Sequence, residues 1–405
     1  MSISQASQTA VLPWTVPVLC FLIAMIEGFD MQAAGVVASR LGPALHLGPG
    51  QMGLFFSAAT IGLIAGSVVG GRLADRYGRR VVLFPSVILF GIFSLVTAMS
   101  LDFSSLFAAR LISGIGIGAA LPCMVAIVAE GSRPGRQVAS VALLYAGMPT
   151  GGAVASLIAA LNLFEGWKPM LMIGGIVPLL IAPLVLLFVP NTVPVRRAAR
   201  PSTPLAALFG PGAATVTLLL WLGFFCAMMV HGLLLNWLPS LLIARGVARA
   251  AAGQVQVLFN LAGAAGSIFA GRALDAFSRS GVVTMTFLGL AGALFILAAV
   301  PPRPEFMFLA GALVGLGSMS VQGIIYGLTP RYYPAAMRAT GVGAAVAVGR
   351  AGSVAGPLLA GGLVAAGNGS AVVLATILPV ALVAGTAILL LVCKKAAAPV
   401  ADAAV

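Results

Sequence analysis

Four charged side chains stand inside long apolar runs: Glu27, Asp30, Arg110 and Arg350. A charge placed in hydrocarbon costs at least about 2.5–3.5 kcal/mol, and residues kept there pair with one another, relay protons or hold ions. Glu27 and Asp30 are three positions apart and therefore share one face of a helix. At about 1.5 Å per residue, Asp30 lies roughly 24 Å from Trp14, and Arg110 roughly 9 Å from the far start of its own run. The two reach similar depth, so they are expected to pair. Two roles stay open for that pair: a static tie between two helices, or a proton-coupled contact that protonation of one carboxylate weakens. Arg350 lies roughly 17 Å from Ala339, near mid-membrane. No acid of the second half reaches that depth, since Asp275 falls in a connection and Glu305 at an edge. A guanidinium keeps its charge and needs an anion. That anion is either Glu27 across a cavity or the carboxylate of a bound molecule, and the planar fork of arginine favours the second.

Several other side chains are candidates to line the same space. Phe224, Met228 and His231 share one helix face, with Trp221 on an adjacent one, while Tyr145, Asn260, Gln322 and Tyr326 could supply hydrogen bonds. Tyr145, Trp221, Phe224, Gln322 and Tyr326 join Arg350 as candidate ligand contacts, although each also suits ordinary helix packing. His231 is expected near the outer end of its helix, and Asn236-Trp237-Leu238-Pro239 as an anchor at the membrane interface. Cys20, Cys123, Cys226 and Cys393 stand singly in apolar runs without metal-ligand spacing, so structural thiols are expected and no metal.

Holding these groups at depth takes membrane-spanning helices. The chain has 405 residues, of which 60% are hydrophobic and 8% charged, and its mean hydropathy is +1.11. A soluble domain has roughly 25% charged residues. The 50 glycines and 25 prolines sit within apolar runs, as they do in polytopic helical membrane proteins. Continuous runs also exclude an outer-membrane barrel, whose strands alternate. Spanning about 30 Å of hydrocarbon takes roughly 20 helical residues. Twelve spans are predicted: 14–38, 51–71, 81–99, 104–127, 138–161, 168–189, 214–238, 251–272, 282–299, 305–328, 339–365 and 371–393. They divide the chain into a six-helix half (1–189), a linker (190–213), a second half (214–393) and a tail (394–405).

The net charge of +13 is not gathered into a basic domain, which argues against nucleic acid. With the N-terminus inside, fifteen Lys and Arg residues fall on the cytoplasmic side, from Arg72 to Lys395. Five fall outside: Arg40, Lys168, Arg245, Arg249 and Arg303. This bias places both termini in the cytoplasm. The N-terminus has no Lys or Arg before Arg40, unlike a cleavable signal peptide.

A repeat divides the chain in two. Gly71-Arg72-Leu73-Ala74-Asp75-Arg76-Tyr77-Gly78-Arg79-Arg80 is echoed at Gly271-Arg272-Ala273-Leu274-Asp275-Ala276-Phe277-Ser278-Arg279, with Gly66-Ser67 echoed upstream at Gly266-Ser267. A period near half the length means two copies of one design. The first stretch is expected as a cytoplasmic loop. Gly71, Asp75, Arg76, Arg79 and Asp275, with Glu130 and Arg136 after the fourth span, are assigned to an inner gate.

Six plus six spans, a central linker and this loop resemble the major facilitator superfamily, with its parallel six-helix halves. The run Arg110-x-x-x-Gly114-x-Gly116-x-Gly118 matches a second signature of that superfamily. Within it, Glu27-Gly28-Phe29-Asp30 is similar to the acidic motif of the aromatic acid:proton symporters. Arg338 to Gly343, Gly349-Arg350-Ala351-Gly352 and Gly356-Pro357-Leu358-Leu359 resemble that family's eleventh span. Glu27 departs from the commoner aspartate and matches the branch that carries 3-(3-hydroxyphenyl)propionate, as do Ala33-Ala34-Gly35 and Ala119-Ala120-Leu121-Pro122. The resemblance implies a monomeric protein of the bacterial cytoplasmic membrane, free of cofactors. It would move a small aromatic acid, a hydroxyphenylpropionate or a relative, with a proton by alternating access. Proton coupling would fall to Asp30, Glu27 and Arg110. A drug or organic-anion:proton antiporter of the same fold is the alternative, but Gly147-Met148-Pro149-Thr150-Gly151-Gly152 is out of register with the antiporter signature. A membrane enzyme would need a nucleophile–base set or metal ligands, and the two histidines, His46 and His231, stand far apart in the chain.

Overall fold

Apolar runs this long can satisfy their backbone in a bilayer only as helices or a closed barrel, and here they form helices. The computed structural model describes residues 14–132, 137–190, 208–209, 213–333 and 338–394; a few side chains within helices, including Asp75, Glu130 and Asp275, lie outside the description. Among the described residues, twelve helices are long and apolar enough to cross a membrane. The first six are α1 (Thr15–Ala44), α2 (Pro49–Tyr77), α3 (Arg79–Met99), α4 (Phe103–Glu130), α5 (Gln137–Ala160) and α6 (Lys168–Phe188). The second six are α7 (Ala213–Ala244), α8 (Arg249–Ala276), α9 (Arg279–Ala299), α10 (Pro304–Leu328), α11 (Arg338–Ala365) and α12 (Ser370–Cys393).

The expected spans match these helices except where a helix outlasts its hydrophobic window. α1 continues to Ala44 because Arg40 is helical, with its guanidinium donating to the carbonyls of Phe164 and Gly166 at 2.8 and 2.9 Å. α7 runs through Pro239 to Ala244. Asn236-Trp237-Leu238-Pro239 is therefore not an interface anchor but a buried helix contact. Trp237 donates its Nε1–H to the Pro357 carbonyl at 3.1 Å, and Asn236 donates to Gly232 at 2.9 Å.

The charged stretch Gly71–Arg80 is also not a loop. α2 continues through it to Tyr77, and α3 starts at Arg79, so one residue, Gly78, makes the whole turn. Its φ of +100° lies in the region that glycine adopts without strain. At the other end of α3, Asp102 caps α4 by accepting the Ser105 N–H at 2.9 Å. That bond holds its carboxyl below the usual carboxylate range. The cap is therefore intact above that range and is lost as pH falls through the lowered value.

Close glycine contacts build the two halves alike. In α2 and α4, a Cβ on Gly62 would fall 1.9 Å from the Leu111 oxygen, and one on Gly114 would fall 2.1 Å from that of Ala59. In α8 and α10, a Cβ on Gly315 would likewise fall 2.1 Å from the Phe259 oxygen. α1 and α5 interlock through Gly28 and Gly151, and α7 and α11 through Gly352 and Gly356. Small residues at such crossings allow the backbone contact that holds helices together in lipid.

Between the halves, the described hydrogen bonds lie away from the Gly78 turn. Gln32 on α1 donates to the Leu235 carbonyl on α7 at 3.0 Å, and its Oε1 accepts from Gln256 and Asn260 on α8 at 3.1 and 3.2 Å. Ser57 on α2 donates to Val354 on α11 at 2.9 Å. Phe56 meets Trp237 edge-on at 5.3 Å. The end that holds the Gly78 turn is here called the basic end. There Tyr145 on α5 and Tyr326 on α10 are 44% and 38% exposed. The halves are thus shut against each other at the end away from the Gly78 turn, while Tyr145 and Tyr326 keep exposed surface toward the basic end.

Gln32→Ala would remove three hydrogen bonds from the shut end, each worth about 0.5–1.5 kcal/mol net. Maleimide labelling of Phe56→Cys, with the four native cysteines replaced, is expected to speed up about tenfold or more in the Gln32→Ala background. Phe56 is 3% exposed in the shut arrangement, so an unchanged labelling rate would mean that these amides do not hold it closed.

Candidate functional site

Asp30 and Arg110 lie where five helices meet. Arg110 Nη1 on α4 donates to Asp30 Oδ2 on α1 at 2.5 Å. Ser94 on α3 donates to the other carboxylate oxygen at 3.0 Å, and Ser113 on α4 lies 3.2 Å from Ser94. Gly174 on α6 leaves the room, since a Cβ there would fall 2.9 Å from Asp30 Oδ1. The ring of Phe55 on α2 lies 5.6 Å from the guanidinium carbon. Asp30 is fully buried and Arg110 is 1% exposed. A buried pair in this setting ties helices together, and breaking it by removing one partner leaves an uncompensated charge at a cost of about 3–5 kcal/mol. Asp30→Asn is accordingly expected to lower the melting temperature in detergent by several degrees. The double variant Asp30→Asn/Arg110→Gln should recover most of the loss, and an unshifted melting curve for the single variant would contradict the tie.

Glu27, one turn earlier on α1, has the opposite surroundings. It is fully buried, and neither carboxylate oxygen has a hydrogen-bond partner. Its helix is locked on both sides of it. A Cβ on Gly28 would fall 2.0 Å from the Met148 oxygen, and one on Gly151 would fall 1.7 Å from that of Met25. Glu27 is therefore held rigidly in place without a counter-charge in contact.

Arg350 lies near the middle of α11, half-buried. Among the described residues no carboxylate forms an ion pair with it; the interior ion pair is that of Arg110 with Asp30. Arg350 lies within electrostatic range of Glu27 on α1, Tyr145 on α5 and His231 on α7, and Tyr145 lies within range of Tyr326 on α10. Gly349 brings α11 close to α7: a Cβ there would meet Phe224 at 3.0 Å and Met228 at 3.2 Å. Phe224 is fully buried and lies edge-on to Tyr326 at 5.2 Å. Gln322 has a buried Nε2 without a partner. Trp221 packs edge-on against Phe209 at 5.6 Å, and its Nε1 also lacks a partner. The two halves thus bring an unpaired acid and an unpaired guanidinium to the cleft between them, with aromatic and amide side chains around.

The residues assigned to the gate are less fully described. Gly71 lies on α2 with open space beside it. Arg76 is exposed, over the Tyr77 ring at 5.2 Å, and Arg79 is buried at the start of α3. Asp75, Glu130 and Asp275 sit on α2, α4 and α8, but their side chains lie outside the described residues, as does all of Arg136.

Sequence reasoning missed Gln32 and Gln256, and misplaced His231. Because α7 extends to Ala244, His231 lies well inside the bundle rather than at its outer end. Its Nδ1 is 3.2 Å from Ser318 Oγ, and its ring stacks on Phe259 at 6.1 Å. The spacing Phe224–Met228–His231, shared with the face toward Arg350, was the signal available.

Two interlocked six-helix halves of membrane-spanning helices, with an unpaired acid on one and an unpaired guanidinium on the other, define a membrane transporter rather than an enzyme. The chain belongs to the Major Facilitator Superfamily, which residues 20–252 and 220–404 match. It is 42% identical over 388 residues to the 3-(3-hydroxy-phenyl)propionate transporter of Escherichia coli (strain K12), covering 95% of this chain and 96% of that one. It is 31% identical over 415 residues to the 4-hydroxybenzoate transporter PcaK of Pseudomonas aeruginosa, covering 93% and 92%. The crystal structure of a D-xylose-proton symporter superposes with a TM-score of 0.76 at 18% identity, covering 94% of this chain and 97% of that chain.

Proposed function

We propose that this protein imports a small aromatic carboxylate, a hydroxyphenylpropionate or a close relative, together with a proton, by alternating access between its two halves. The observation that carries this reading is the pair of unpartnered charged groups on opposite halves, Arg350 and Glu27. A guanidinium stays charged and needs an anion, which the cargo carboxylate supplies in the bidentate geometry that arginine favours. A carboxyl buried without donors is costly as an anion, so Glu27 takes the coupled proton. One proton and one monoanion make a neutral load.

Asp30 and Arg110, bonded to each other, with Ser94 donating to the second oxygen of Asp30, position α1 for Glu27 rather than carrying the proton. Tyr145, Gln322 and Tyr326 surround the cargo ring, backed by Phe224, with Trp221 nearer the basic end. The names of the two relatives, both transporters of hydroxylated aromatic acids, support the cargo class. The excess of Lys and Arg supports a cytoplasmic placement of the basic end and of both termini in a bacterial inner membrane. The cleft described here then faces inward, and the Gln32 cluster closes the outer end. Each polypeptide works as a monomer.

Uptake of radiolabelled 3-(3-hydroxyphenyl)propionate into proteoliposomes tests the reading. Accumulation is expected when an inward proton gradient is imposed and is expected to stop when an ionophore collapses it. Uptake indifferent to the gradient would refute coupling, and absence of uptake would refute the cargo class.

A further inference from the structure

One histidine in the bundle interior has no part in the proton or carboxylate chemistry. His231 faces α10, where Ser318, Gln322 and Tyr326 follow one another at intervals of four and so line a single face. The facing side of α7 presents Phe224, Met228 and His231. Two described contacts join these faces: Phe224 meets Tyr326 toward the basic end, and His231 Nδ1 meets Ser318 Oγ at 3.2 Å further in. Gln322 lies between them with its Nε2 unpartnered. Gly349 sets Phe224 and Met228 directly beside the turn of α11 that carries Arg350. Arg350 thus stands beside the buried Phe224–Met228 stretch of α7, with the neutral His231–Ser318 pair further along that helix.

The imidazole is fixed in place. Ser318, which is 3% exposed, holds its Nδ1, and Phe259 stacks on its ring at an interplanar angle of 25°. The described hydrogen bond of the ring is made by Nδ1, and the half-buried imidazole leaves Nε2 accessible to a ligand. A flat molecule with a carboxylate at one end and a hydroxyl at the other offers one group to Arg350 and one to Nε2. In either imidazole tautomer Nε2 has a match, since a phenol hydroxyl can both donate and accept.

We infer that His231, oriented by Ser318, reads the ring hydroxyl of the cargo while Arg350 holds its carboxylate. The inference rests on the aromatic-acid reading above and adds the group that distinguishes hydroxylated rings from bare ones. Sites built to hydrogen-bond a substrate hydroxyl discriminate strongly against the analogue that lacks it, because their polar groups are then left unanswered.

The test is the dissociation constant of purified protein for 3-(3-hydroxyphenyl)propionate and for 3-phenylpropionate. It is measured by scintillation proximity with each acid labelled, in wild type, His231→Phe and Ser318→Ala. Wild type is expected to prefer the hydroxylated acid by about tenfold or more, the worth of one well-placed hydrogen bond. His231→Phe keeps the ring stack and should weaken the hydroxylated acid about tenfold while sparing 3-phenylpropionate, bringing the ratio near one. Ser318→Ala should lower the ratio in the same direction by a smaller factor. Equal weakening of both acids in the variants, or an unchanged ratio, would overturn the inference. A wild type that binds both acids equally well would overturn it while leaving the transport reading intact; a wild type that binds neither would remove both.

Discussion

Arg350→Ala is expected to reduce the affinity for the aromatic acid by roughly thirtyfold to several thousandfold. Truncating one member of a buried, hydrogen-bonded charge pair costs about 2–5 kcal/mol, and every 1.4 kcal/mol is a factor of about ten. No other described cation stands ready to replace it, since Arg110 is committed to Asp30 within the first half. Arg350→Lys should fall between the two, because it keeps the charge and loses the planar fork. Equilibrium binding in detergent reads the effect without requiring transport. Affinity in Arg350→Ala equal to that of wild type would place the carboxylate elsewhere.

Glu27→Gln should separate movement from coupling. The glutamine keeps the shape of the side chain between the locked Gly28 and Gly151 contacts but cannot take up or release a proton. In proteoliposomes, wild type with one proton per cargo accumulates acid up to about tenfold for each unit of imposed pH difference. The variant should neither accumulate acid nor take it up net, because its empty form leaves Arg350 without an offsetting charge, while continuing to exchange internal unlabelled for external labelled acid. Gradient-driven accumulation that survives in Glu27→Gln would assign the proton to another group. Asp30→Asn makes the contrast, since its expected effect is on stability through the stranded Arg110.

Much of this was legible in the residues because membrane solvation acts on each segment separately. Twelve apolar runs had to be twelve helices, and the charges within them had to lie at computable depths, which brought Asp30 and Arg110 together. What the residues hid depends on which faces meet. Gln32, Gln256 and Asn260 are ordinary amides until the two halves close over them. His231 looked peripheral because Pro239 reads as a helix end, although a membrane helix tolerates proline when its neighbours satisfy the freed carbonyl. The charged stretch after Gly71 reads as a loop by composition, yet only Gly78 leaves the helix.

The placement of Glu27 and Arg350 on opposite halves has a consequence for leakage. Under the proposed mechanism the cleft passes through four loading states, and its central charge balances in only two of them. Empty, an ionised Glu27 offsets Arg350; fully loaded, the cargo carboxylate offsets Arg350 and the proton neutralises Glu27. A proton alone leaves a bare guanidinium, and an acid alone leaves a bare carboxylate. Sealing either of these away from water costs several kcal/mol, so a half-filled carrier is held back from the occluded conformation. Futile cycling is thereby suppressed without any dedicated latch, because electroneutrality of the closed chamber enforces the one-to-one cotransport of a proton and an acid.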